Sequence, residues 1–127
     1  MDCSKMSDFE INKMVAIILG KDLMPDDCQD FGLSGFPEVM LRSGDYKDYC
    51  NNPEDAWPII VGKKLSIINA DDKWLCVPED EPVNGVTGDA VHMIYYGDGA
   101  EHENPLRAAM IVFLMMQDSA NVQDNTA

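Results

Sequence analysis

With 127 residues the chain has room for one domain, and its 46% of hydrophobic residues suffices for a core. Twenty-three acidic residues against nine basic ones leave a formal net charge of -14, which sets the chain against nucleic-acid phosphate and anionic membrane surfaces and inclines it toward a basic protein surface. Solubility alone is the plainer account of so many acids.

The first helix marks its own start. Ser7 followed by Glu10 forms a capping box, Asp8 puts negative charge where the helix dipole favours it, and Met6 can staple to Ile11. Ile11, Met14, Val15, Ile18 and Leu19 recur at helical spacing and Gly20 is a natural stop, so a helix is predicted over 8–19. Residues 21–35, with a proline, two glycines and four aspartates, read as a loop. A short strand is predicted over 38–42, opened by Pro37 and ended by Ser43-Gly44. Asn52 as cap and Pro53 in the first turn open a second helix. Pro58 predicts a restart with Asp55 as a new cap, because an interior proline removes a hydrogen bond, and Gly62 closes the helix.

"LSIIN" and "KWLCV" with "NADD" between them predict a hairpin, and residues 78–89 an acidic loop. "AVHMIYY" predicts a further strand over 90–96, and "GDGAEHE" a turn. Asn104-Pro105 then opens the last helix by the same rule as Asn52-Pro53. Apart from Arg107, the eleven residues from Leu106 to Met116 are all apolar, too few for a membrane span, which needs about 18. Residues 1–118 are read as one domain and 119–127 as a polar, frayed tail. The expected fold class is α+β: two or three helices packed on a small, mostly antiparallel sheet.

Cys3, Cys28, Cys50 and Cys76 form no CxxC pair and are spaced too widely for zinc, so free thiols in a reducing cytosol are expected and no metal site. No basic n-region precedes an apolar core at the N-terminus, so no signal peptide is read.

Three separated stretches, "MDCSKMSDFEINKMVAIILG", "DYCNNPEDAWPIIV" and "NPLRAAMIVFLMMQ", occur in order and together resemble the NinX-like family of small proteins from the nin region of lambdoid bacteriophages and related prophages. The resemblance covers the first helix, the middle block from about Tyr46 to Ile68 and the final helix. It implies a phage protein in the cytoplasm of an enterobacterial host. It implies no activity and brings no catalytic residues.

The residues themselves carry little reaction chemistry. His92 and His102 have no motif around them, and a solvated or hydrogen-bonded histidine is the expectation for each. Asp26-Asp27, Asp71-Asp72 and Glu79-Asp80-Glu81 fall in predicted loops and turns and match no EF-hand spacing. No phosphate-binding glycine loop or nucleophile elbow is present, so no catalytic residue, metal or cofactor is assigned.

The aromatic residues offer more. Tyr46, Tyr49, Trp57 and Trp74 lie in or near the middle block, and such rings serve in pockets and interfaces as readily as in cores. Core packing is the expectation for Trp57 and Trp74. If the rings do line a site, Tyr49, Trp57, Trp74 and Arg107 are the ligand-binding candidates. Arg107, disfavoured by the dipole at a helix start, is expected to pair with an acid such as Asp55 or Glu103, with an anionic ligand as the alternative. The last helix is apolar almost all round, and small domains cover few helices completely, so Met110, Phe113, Leu114 and Met116 are expected at a homodimer interface.

Three functions follow from these residues together with what the family resemblance implies. The first is a non-enzymatic phage accessory protein that binds and modulates a basic host protein through its acidic surface. The second is a binder that sequesters a small anionic ligand, such as a nucleotide signal used in host defence, provided that the few bases converge. An enzyme without a recognisable motif ranks last.

Overall fold

The computed structural model describes residues 5–78 and 99–126, with side chains through 117. The strand expected over 90–96, His92, Cys3 and most of the acidic loop lie outside the described residues.

Helix α1 is Asp8–Ile18, and its N-cap is the one expected: Glu10 N–H donates to Ser7 Oγ at 3.1 Å. Gly20 takes φ +76°, which only glycine adopts freely, and there the helix ends. The N–H groups of Gly20 and Lys21 turn back to the carbonyls of Ile17 and Ala16, fixing the direction in which Lys21 leaves the helix.

The stretch read as a loop over 21–35 is more ordered than expected. It holds a 3-10 turn at Asp26–Cys28 and the one-turn helix α2, Asp30–Leu33. Gln29 organises it, buried to 2% exposure. Its Nε2 donates to the carbonyls of Met24 (2.9 Å) and Met40 (3.0 Å), and its Oε1 accepts from Met40 N–H (2.7 Å). A glutamine amide thus pairs with the main chain as a neighbouring strand would.

Strand β1, Val39–Met40, pairs antiparallel with β2, Tyr46–Lys47, a partner that the sequence pattern did not suggest. Helix α3 is Pro53–Gly62, capped by Asn52, whose Oδ1 accepts from Glu54 N–H at 3.0 Å. The expected restart at Asp55 does not occur, and the helix runs through Pro58. Glu54 and Pro58 are both exposed, so water can replace the missing bond. Asp55 is engaged elsewhere: its Oδ2 accepts from Asp48 N–H at 2.9 Å.

The predicted hairpin forms as β3, Ser66–Ala70, and β4, Lys73–Val77, in the register Ser66↔Val77 to Ala70↔Lys73. Asp71 turns it at φ +63°, a conformation that aspartate tolerates better than most residues. Part of the expected "GDGAEHE" turn instead forms β5, Ala100–His102, antiparallel to β4. A Cβ on Gly99 would stand 2.7 Å from the Cys76 carbonyl, so glycine is what lets the chain enter β5 so close to β4.

Helix α4 is Pro105–Thr126, its backbone running through most of the segment expected to fray. It lies against β4 and β5 and packs on α1 and α3 as well. From Ala108 to Leu114, seven consecutive residues are at most 7% exposed. The helix is therefore the centre of the core of an α+β fold with two small antiparallel sheets. No helix among the described residues is long and apolar enough to cross a membrane.

Candidate functional site

The three stretches that resemble the phage family meet at one polar junction. Asn12, fully buried on α1, donates to the Pro37 carbonyl (2.8 Å) and Asp48 Oδ1 (2.9 Å) and accepts from Cys50 N–H (3.1 Å). Asn104 accepts from Leu106 N–H (3.0 Å) as the cap of α4, and its amide donates to the Cys50 carbonyl (2.7 Å) and Asn51 Oδ1 (3.1 Å). Arg107 pairs with Asp8 of α1, and its Nη2 donates to the Met6 carbonyl at 2.7 Å. Its partner is thus neither Asp55 nor Glu103. The guanidinium, 7% exposed, is spent on joining two helices and is not presented to a ligand.

Beside this junction lies a cleft of about 370 Å³. Lys21, just beyond α1, Lys47 of β2 and Lys63 at the end of α3 line it, with Glu54, Asp55 and Pro58 from α3. Tyr49, Ile59 and Phe113 supply buried walls. Three of the nine basic residues in a chain of net charge -14 thus converge on one cleft. Lys47 Nζ is 3.5 Å from Asp55 Oδ1, which leaves Lys21 and Lys63 against the single carboxylate of Glu54.

Tyr49 is the unusual member. The residue is 2% exposed, and its Oη is buried without a hydrogen-bond partner among the described residues. Burial, with the Asp55 charge adding to it, pushes the phenol up to about 12. It is therefore a neutral donor at physiological pH, and its proton has no acceptor among the described residues.

Of the four ligand-binding candidates, only Tyr49 lines this cleft. Trp57 and Trp74 are 60% and 40% exposed and stand elsewhere, against the expectation that they fill the core. Both sit on the outer faces of their elements, since the core is already occupied by the aliphatic side chains and Phe113 of α4. The interface candidates lie inward. Met110, Phe113 and Leu114 are buried within a single chain, and Met116 is partly buried against the same core. Two sheet strands and two helices cover α4, which leaves no apolar stripe from these three residues for a second copy.

The lysines were missed because they come from three distant segments and form no local motif. Asn12 did carry a signal, as a polar residue among Ile11, Val15 and Ala16 on the buried face of α1. Among the described residues no three His, Cys, Asp or Glu side chains group as a metal site would require. Cys28, Cys50 and Cys76 are free thiols. Burial pushes Cys76 up to about 12 and raises Cys50 as well, there with the Asp8 charge adding to it.

The family model described as "Bacteriophage P22, NinX" matches residues 2–117 of the 127. No curated protein and no solved structure matches the chain.

Proposed function

The chain belongs to the bacteriophage P22 NinX family, and from the geometry of the lysine cleft we propose that it is a non-enzymatic phage accessory protein that holds a small anionic ligand there. The observation that carries this reading is the convergence of three lysines on one cleft walled by Tyr49, whose hydroxyl has no partner among the described residues. A phosphate-bearing molecule of nucleotide size suits the volume, and both kinds of group are donors to its oxygens. The role is sequestration, in the host cytoplasm, of an anionic signal.

The test is native mass spectrometry of the tagged protein recovered from phage-infected cells. A bound small-molecule mass that disappears in Lys63→Glu and Tyr49→Phe is the expected result. A bare protein mass in both infected and uninfected cells would remove the reading.

A second reading has its own support, the acidic surplus. Lys13, Arg42, Lys47 and Arg107 are already paired with Asp26, Asp22, Asp55 and Asp8. With so many bases answered internally, much of the surface is dominated by acids, which suits contact with a basic host protein. Recovery of such a protein in a salt-sensitive complex, with no small ligand, favours this second role.

A further inference from the structure

Three aromatic rings stand at the surface where α2 meets the β1–β2 pair. Phe31 lies edge-on to Phe36, centroids 6.3 Å apart at 88°, and to Tyr46, 4.8 Å apart at 62°. They are 38%, 56% and 49% exposed, respectively. With Glu38 these rings line a hollow of about 360 Å³, separate from the lysine cleft. Glu38 Oε2 is buried and has no hydrogen-bond partner among the described residues.

A sequestered carboxylate oxygen is unfavourable unless something answers it. The faces of the rings around it are negative as well, through their quadrupoles. The hollow therefore lacks a cation that can both touch aromatic faces and donate to a carboxylate. A guanidinium does both, because it is flat enough to stack and carries a fork of donors, whereas an ammonium is a strongly hydrated point charge. The net charge of -14 draws basic partners to this surface.

We propose that the cup of Phe31, Phe36, Glu38 and Tyr46 receives an arginine side chain of a partner protein. This rests on the basic-partner reading above, gives it a point of contact, and does not involve the lysine cleft.

The experiment is an NMR titration of the full chain at low salt with N-acetyl-arginine amide, following the Tyr46, Phe31 and Phe36 ring resonances. Saturable shifts are expected with a Kd of about 1 mM, weakened at least about tenfold in Glu38→Gln. Phe36→Ala, at a position more than half exposed, is expected to weaken binding without disturbing the core. N-acetyl-lysine amide is expected to bind more weakly than the arginine probe. Absence of saturation, equal binding by the lysine probe, or shifts unchanged in Glu38→Gln would overturn the proposal. The probe requires no host protein, so arginine binding with no basic protein recovered from infected cells would remove the partner reading and leave the guanidinium site standing.

Discussion

Asp8, in the first turn of α1, pairs with Arg107, in the first turn of α4, across 99 positions of sequence. The pair settles two dipole questions together. Asp8 suits the positive start of its own helix, and it supplies the charge that lets Arg107 sit at the start of another. The guanidinium is almost fully buried while Asp8 is about one-third exposed, so the two partners are not equivalent. Asp8→Ala, which takes the carboxylate away from a buried cation, is expected to lower stability by about 2–3 kcal/mol. Arg107→Met combined with Asp8→Ala should recover part of that loss, since it removes the buried charge. Urea denaturation of the two single variants and the double variant measures both effects.

Asn12 carries three hydrogen bonds in a fully buried position, and one of them satisfies the N–H of buried Cys50. Asn12→Leu fits the apolar face of α1 by shape but orphans that N–H and takes one donor from Asp48, which keeps the amide of Asn51. A loss of about 3 kcal/mol is expected by chemical denaturation. An unchanged midpoint would mean that the junction contributes little to holding the three segments together.

Met110 belongs to the core of a single chain. Met110→Ala should therefore cost about 3 kcal/mol. That loss should be identical at protein concentrations tenfold apart, because a residue at a subunit interface would instead couple stability to concentration. Urea midpoints at two concentrations distinguish the cases.

Tyr49→Phe separates stability from binding. The Oη it removes is buried and unpaired among the described residues, so stability is expected to stay level or rise by up to about 1 kcal/mol. Anion binding in the cleft should weaken by about tenfold through the lost donor. Calorimetry against the ligand found by mass spectrometry, beside thermal unfolding of the free variant, reads the two quantities independently.

The raised thiol and phenol give the fold an alkaline limit. Cys76 is held at about 12 against 9.0, and Tyr49 at about 12 against 10.0. Below pH 9 both states keep both protons and neither group affects stability. Above pH 9 the unfolded chain releases the Cys76 proton that the folded chain retains, which alone lowers stability by about 1.4 kcal/mol per pH unit; the raised Cys50 thiol adds its own slope from the same pH, and Tyr49 adds one above pH 10. Cys76→Val should remove about 2 kcal/mol of the loss between pH 8 and pH 10.5, measured by urea unfolding at the two pH values.

The legible parts of the fold were those whose cause is local. Ser7 and Glu10, Asn52-Pro53 and Asn104-Pro105 set helix starts through neighbouring groups, and Asp71-Asp72, the second half of "NADD", set the hairpin turn. The illegible parts were made by distant partners. Gln29 becomes a strand surrogate only because Met24 and Met40 come to it, and β5 exists only because β4 is beside it. The candidate sites divide in the same way. Tyr49 was identifiable as a ring in the middle block, but its unanswered hydroxyl and the three lysines around it are products of folding. Arg107 was recognisable as an anomaly, and only the folded chain reveals that Asp8 answers it.

Because the centre of the core is residues 108–114, the preceding segments have little to condense upon until that helix is present. A ribosome must synthesise nearly the whole described chain before the hydrophobic faces of α1 and α3 find their cover. During that interval they remain open to chaperones and to one another.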